Sequence, residues 1–240
     1  MTNAWVTNLA LLQSAAHMTA TRVEDMFDSI GPCLDELEYQ YLGIGIEHCK
    51  GFEDHSQLSA FLLLGVRSIC LLRGMLRLAD RQFLDSYDCV RRSFIESWQL
   101  QFEFKLRDST AKAQKWLERQ PEWQADRKKL ESVIAKLLGG KAGFTREWSG
   151  LSEMAHPTFD ATVNSVAIAS TLFDMNPQPE HLEEEYKKLV SDYVGMVNRV
   201  IWLTLQKSDD FIDTPLEARQ FPQSLELHKK FLESNNKEQQ

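Results

Sequence analysis

The sequence predicts an all-α fold, a helical bundle of about seven to nine helices built around a central antiparallel helical hairpin. Apolar residues recur at three- and four-residue steps along most of the 240-residue chain, the spacing that places side chains on one face of a helix. The alternation of apolar and polar residues that marks a half-buried strand persists nowhere beyond a few residues. A chain of this length can bury a substantial core.

Two helices are predicted in the amino-terminal part, residues 1–55. The first carries an apolar stripe from Trp5 to Ile30 and ends at Gly31, with Pro32 suited to the first turn of the next helix. That second helix is short and ends near Gly43 and Gly45. The stripe is long enough for a partner helix as well as for the core, so we expect a homo-oligomer, at least a homodimer. A protein partner is a second expectation.

The third and fourth helices form the predicted hairpin. The third begins after Asp54 or Ser56, both good capping residues, and ends near Ala79. The fourth carries aromatic side chains at helical steps between Tyr87 and Phe102. If the two helices turn near Gln82, facing positions have residue numbers that sum to about 164.

Arg67 lies on the apolar side of the third helix, which has three arginines and no acid between residues 58 and 79. Removing the partner of a buried charge costs on the order of 3 to 5 kcal/mol, and the hairpin register places Glu96 opposite Arg67. We therefore expect Arg67 to be mostly buried and paired with Glu96. The alternative is that Asp88, Arg92 and Glu96 form a solvated ladder at four-residue steps.

The remaining chain is also predicted to be helical. Two shorter helices follow the hairpin, two more lie between residues 144 and 173, and the longest helix begins after the loop at residues 176–179. The predicted organisation is one all-α domain over residues 1–233, with amino-terminal helices in 1–55, a core bundle in 56–173, carboxyl-terminal helices in 180–233, and a disordered polar tail in 234–240.

Ser152 and His156 are four residues apart, so their side chains share one face of a helix that stops at Pro157. One interpretation makes His156 an acid/base or ligand group, with Ser152 or Arg146 beside it. The alternative is a histidine at a helix end that is satisfied by backbone carbonyls or by the helix dipole.

A candidate site follows if this face meets the fourth helix. His156, Glu96 and Arg92 are its candidate catalytic residues: Glu96 could orient or charge the imidazole, and Arg92 could bind an anionic group. The candidate ligand-binding residues are Arg67, Arg146 and Ser152. A structural hydrogen-bond cluster that ties three helices together is the alternative interpretation.

No metal and no cofactor is predicted. His48, Cys49 and His55 lack a second ligand pair at the spacing of a zinc site. The fingerprints of dinucleotide binding, of P-loops, of zinc proteases and of serine hydrolases are absent. The four cysteines show no CxxC pairing, and no secretory signal precedes them, so we expect reduced thiols and a cytoplasmic location.

Charge is unevenly distributed along the chain. The net charge of −8 argues against a general nucleic-acid binder, yet residues 111–146 hold nine Lys or Arg and four Asp or Glu. This basic region could hold RNA, or it could simply be a solvated helical face. No membrane association is expected, because three arginines interrupt the apolar third helix.

Two stretches carry a resemblance to a known group, LLRGMLRLADRQFLDSYDCVRRSFIESW and WSGLSEMAHP. They resemble uncharacterised bacterial all-helical proteins that have Arg-x-x-x-Glu on a core helix and Leu-Ser-x-x-x-His later in the chain. The matching residues are Arg92, Glu96, Leu151, Ser152 and His156.

The same region, about residues 58–166, is distantly similar to HEPN-type helical domains, which often act as ribonucleases in toxin–antitoxin and phage-defence systems. Those domains have four to six residues between an arginine and a histidine on one helix, whereas nine residues lie between Arg146 and His156 in this chain. The resemblance implies a metal-independent ribonuclease or RNA-binding protein.

Two hypotheses of function therefore stand side by side. The first is a cytoplasmic helical binding or regulatory protein without identifiable catalysis, which rests on the missing motifs and on aromatic side chains able to lie at a surface: Trp5, Trp116, Trp123 and Trp202. The second is the HEPN-like ribonuclease or RNA-binding protein.

Overall fold

A computed structural model describes residue 28 and residues 30–80, 84–120, 179–206, 211–212 and 222–238 of the chain. Within these ranges the predicted all-α fold is confirmed, since every extended regular element is helical. The only strand-like pairing recorded for them is one isolated bridge between Leu106 and Phe211.

Six α-helices lie in the described ranges, fewer than the seven to nine predicted for the whole chain, and the helices predicted between residues 121 and 173 fall outside these ranges. Two short 3-10 helices span Lys50–Phe52 and Arg107–Ser109. The α-helices are α1 (residues 30–48), α2 (Gln57–Asp80), α3 (Leu84–Lys105), α4 (Thr110–Leu117), α5 (Pro179–Leu205) and α6 (Pro222–Glu238).

The amino-terminal end of α2 confirms the predicted cap. The hydroxyl of Ser56 accepts a hydrogen bond from the backbone amide of Ser59 at 3.0 Å, which satisfies one of the free amides of the first turn. The prediction that α1 ends at Gly43 or Gly45 is wrong. The helix continues to residue 48, and the Phe52 ring packs so closely on Gly45 that a Cβ there would overlap it.

Helices α2 and α3 pack against each other over most of their length. Near the start of α2, the Gln57 side chain donates to the carbonyl of Phe104 at 2.6 Å, near the end of α3. Farther along α2, Arg67 reaches Ser97. Residues 81–83 between the two helices lie outside the described ranges, so the antiparallel hairpin stays a prediction.

Helix α5 covers the other side of α3 through aromatic packing. The Phe102 ring stacks on Trp202 with centroids 6.1 Å apart and meets Phe211 edge-on at 5.7 Å. The indole of Trp98 donates to the carbonyl of Arg199 at 3.0 Å, which satisfies a polar group that burial would otherwise strand.

One described helix, α2, is long and apolar enough to cross a membrane by length and composition. However, 56% of its most apolar window is buried inside the protein. The same helix packs along α3.

Helix α6 is held at its amino-terminal end by a carboxylate from α1. Glu36 accepts hydrogen bonds from the backbone amide of Ser224 at 2.9 Å and from its hydroxyl at 2.7 Å, with a longer bond of 3.4 Å from the amide of Gln223. A negative charge at this position also complements the helix dipole. The helix continues to Glu238 and so includes most of the segment 234–240 that the sequence predicts as disordered.

Replacing Glu36 with alanine should loosen α6 without unfolding the bundle, because the lost cap contributes about 1 kcal/mol. We expect faster amide exchange in α6, measured by hydrogen exchange. The matched control is Glu47→Ala, which removes an exposed carboxylate from the same helix. Unchanged exchange in α6 would contradict the capping role.

Candidate functional site

Arg92 and Glu96, two of the three candidate catalytic residues, lie one turn apart on α3. The Arg92 Nε atom is 3.5 Å from the Glu96 Oε1 atom, and both side chains are partly exposed. This is the pairing at four-residue spacing that the ladder interpretation predicts. Such pairs contribute a few tenths of a kcal/mol to a helix, so this contact alone does not require a site.

The prediction of a buried Arg67 paired with Glu96 is wrong. Arg67 is exposed, and its Nε atom donates to the Ser97 hydroxyl at 2.9 Å. The residue that contacts Arg67 is Ser97, which directly follows Glu96 in the chain. An arginine can keep its charge at the rim of an interface while its methylene groups cover apolar surface, so Arg67 needs no internal acid.

The other half of the predicted site lies outside the described residues. His156, Ser152 and Arg146 all belong to residues 121–178, and so do Pro157 and most of the basic region. The convergence of His156 with Arg92 and Glu96 therefore stays a prediction.

The described part of the basic region, residues 111–120, belongs mainly to α4. Lys112 pairs with Glu103 of α3, and Glu118 accepts a hydrogen bond from Gln114 at 2.9 Å. Trp116 packs on Phe104 with ring centroids 5.6 Å apart. The two other bases of this segment, Lys115 and Arg119, are exposed, and RNA binding by residues 111–146 stays a prediction.

No three His, Cys, Asp or Glu side chains in the described ranges are grouped so as to hold a metal ion. The three residues considered as metal ligands have separate surroundings: His48 lies 3.8 Å from Glu47, His55 lies 3.7 Å from Glu118, and Cys49 is buried. Burial raises the pKa of the Cys49 thiol. All four cysteines are free thiols.

A buried polar node, formed by Tyr41, Gln101, Lys105 and Thr204, joins α1, α3 and α5. The Thr204 hydroxyl donates to the carbonyl of Val200 at 2.7 Å, so it is the Tyr41 hydroxyl that donates to Thr204. Gln101 Nε2 in turn donates to the Tyr41 oxygen at 3.4 Å. Burial raises the pKa of Tyr41 to about 12, so the phenol is neutral and can act as this donor.

Lys105 is the most unusual member of the buried polar node, because lysine is rarely fully buried. Only 1% of its surface is exposed. Its Nζ atom donates to the carbonyl of Thr204 at 3.2 Å and lies 5.1 Å from the centre of the Phe61 ring. These two contacts place electron-rich groups next to the ammonium.

The sequence interpretation missed the buried polar node, although one residue signals it. Gly65 interrupts the apolar run of α2, and a Cβ atom there would overlap the Tyr41 ring and lie 2.7 Å from Gln101 Nε2. A helix-interior glycine that is not at a turn indicates close approach by a neighbouring element. In this protein the neighbours are α1 and α3.

The sequence interpretation also missed a charged cluster between α1 and α2. Arg73 of α2 pairs with Glu38 and Asp35 of α1 rather than with an acid of α3. Burial acts to lower the pKa of Arg73, but the hydrogen bonds and charges of Glu38 and Asp35 outweigh it and raise the pKa. This cluster links α1 to α2 at the edge of the bundle.

The clearest exposed apolar surface in the described ranges is the outward face of α1. Three large apolar side chains are exposed there, Tyr39 to 75%, Leu42 to 40% and Ile46 to 67%. They follow one another at three- and four-residue steps and so form one line along the helix, which we call the α1 stripe. Since Leu34, Tyr41 and Ile44 are buried on the opposite side, α1 is apolar on two faces.

Replacing Gly65 with alanine should destabilise the protein by about 1 to 3 kcal/mol, because Tyr41 and Gln101 have to move to admit the methyl group. The matched control on the same helix is Gly74→Ala, where a Cβ atom meets nothing within 4 Å. That change should be neutral or should stabilise by roughly 0.5 to 1 kcal/mol. Urea denaturation of both variants measures the difference, and equal midpoints would contradict the close packing at Gly65.

No family model matches the chain, and the comparisons with curated proteins and with solved structures likewise found no match.

Proposed function

We propose that this chain is a helical binding or regulatory protein without catalysis of its own, acting in the cytoplasm, and that it engages a partner protein through the α1 stripe. The single observation that carries the proposal is the exposure of Tyr39, Leu42 and Ile46 in one line. Contiguous apolar surface on a soluble protein marks an interaction site more often than isolated exposed residues do.

The spacing of the α1 stripe suits a helical partner. Apolar residues at alternating three- and four-residue steps form the seam along which two helices pack knobs into holes. Grooves and faces of this kind recognise amphipathic helices through anchors at similar steps. In this proposal α2 and α3 are the central hairpin of the bundle, and they give α1 a rigid base through the buried polar node.

Self-association remains part of the proposal. The expected homo-oligomer rests on the apolar residues from Trp5 to Ile30, nearly all of which lie outside the described ranges. It would use a different segment from the α1 stripe, so the two interactions are separable by mutation.

A photoreactive amino acid placed at position 39 should give a discrete cross-linked product in cells, and adding Ile46→Glu should abolish it because a charge enters the apolar seam. The control position is 229 on α6, where Lys229 is 79% exposed and lies on another helix. Unchanged melting of the Ile46→Glu variant shows that the bundle is intact. Identical products from both positions, or none at position 39, would contradict a docking role for the stripe.

The alternative function is a HEPN-like metal-independent ribonuclease or RNA-binding protein of a toxin–antitoxin or phage-defence system. The observation that favours it is the exposure of Arg67 on α2, a helix with three arginines and no acid before Asp80. Arg92 of the neighbouring helix α3 is partly exposed as well. Arginine at such positions suits phosphate contacts.

If this alternative holds, single-stranded RNA should bind with an affinity that falls steeply with salt. Arg67→Ala and Arg92→Ala should each weaken binding several-fold, and His156→Ala should abolish cleavage while leaving binding unchanged. Fluorescence anisotropy and a gel cleavage assay measure the two effects, with Lys230→Ala on α6 as the control. Absence of RNA binding at low salt would eliminate this candidate.

A further inference from the structure

We propose that the α1 stripe binds an amphipathic helix of a partner protein that carries lysine or arginine residues beside its apolar face. The inference rests on the proposed function and adds the chemistry of the partner. It follows from three properties of α1: the line of apolar side chains, the charge of the helix, and the open space beside Gly43.

The charge of α1 has a single sign. Residues 30–48 contain four acids, Asp35, Glu36, Glu38 and Glu47, and no lysine or arginine. Two of them border the stripe in solvent, since the Asp35 side chain is 73% exposed and that of Glu47 is 75% exposed. Asp35 precedes Tyr39 by four residues and therefore extends the line of the stripe itself.

Neighbouring bases offset this charge only in part. Arg73 of α2 contacts Asp35 and Glu38, yet it leaves most of the Asp35 carboxylate in water. His48 lies 3.8 Å from Glu47, and Lys50 follows just beyond the carboxyl end of the helix. A partner with lysine or arginine beside Asp35 and Glu47 would form ion pairs with these two carboxylates. Complementary charges of this kind favour specificity and fast association.

Gly43 allows the partner helix to come close. The residue follows Leu42 directly, and a Cβ atom added to it would meet nothing within 4 Å. The space above this part of α1 is therefore open, unlike the space at Gly45, which the Phe52 ring fills. Small residues beside a seam let two helix backbones approach each other closely.

The same charges disfavour a second copy of this chain as the occupant. Two α1 helices packed face to face would bring the exposed carboxylates of Asp35 and Glu47 toward those of the second copy, and like charges across an interface are costly. Apolar anchors with a basic border avoid this repulsion, so the partner differs from α1 in the sign of its charge.

The test uses three designed 18-residue helical peptides and the full-length protein. The basic peptide has leucines in one stripe with lysines beside them, the neutral peptide has glutamine in place of each lysine, and the scrambled peptide has the basic composition without a stripe. We expect the basic peptide to bind at least tenfold more tightly than the other two by fluorescence anisotropy. Ile46→Glu should weaken this binding at least tenfold.

Two charge variants test the recognition of lysine. Asp35→Asn and Glu47→Gln should each reduce the preference for the basic over the neutral peptide by about two- to fivefold, as expected for losing one exposed ion pair of up to about 1 kcal/mol. The matched control, Glu226→Gln, removes a carboxylate from the exposed surface of α6 and should leave the preference unchanged.

The contrary outcomes distinguish an error in the inferred charge of the partner from failure of the whole inference. Equal binding of the basic and neutral peptides, both lost in Ile46→Glu, overturns the inferred charge of the partner and leaves the proposed function intact. Equal binding of the scrambled peptide, or binding of none, overturns the inference. Sedimentation that shows a dimer converted to a monomer by Ile46→Glu also overturns it, because a second copy then occupies the stripe.

Discussion

The packing of the bundle depends on the contact between the Tyr41 ring and Gly65. The missing side chain at Gly65 lets α1 lie directly against α2 and brings the Tyr41 hydroxyl to Thr204 of α5 and to Gln101 of α3. Four helices therefore meet at one buried phenol. The hydroxyls of Tyr41 and Thr204 and the amide nitrogen of Gln101 are hydrogen-bonded at this point, whereas the buried Gln101 Oε1 atom has no hydrogen-bond partner among the described residues. A buried polar atom without a partner is costly, so the packing around the node has to offset this cost.

Helix α1 combines two opposite roles because of this anchoring. Its inner face supplies Leu34, Tyr41 and Ile44 to the core, while its outer face keeps Tyr39 and Ile46 in water. A rotation that buried the outer face would expose this inner face. The buried polar node, the Arg73 ion pairs and the Glu36 cap all oppose that rotation.

The fold class was predictable because the helical period of the apolar residues is a local property of the sequence. The start of α2 was predictable for the same reason, since Ser56 caps the turn that follows it. Partner choice was not predictable: Arg73 pairs with α1 and Arg67 stays at the rim, and both outcomes depend on which helices become neighbours. The α1 stripe escaped notice because a helix with two apolar faces gives a weak periodic signal.

The carboxylate that caps α6 comes from a distant part of the chain. Glu36 and Ser224 are 188 residues apart in the chain, yet α6 obtains its terminal carboxylate from α1. During synthesis α1 leaves the ribosome before α6 has been made. The Glu36 carboxylate therefore gains its hydrogen-bond partner only after α6 has been synthesised. The amino-terminal end of α6 therefore gains this capping carboxylate only when α1 and α6 are both formed and in contact.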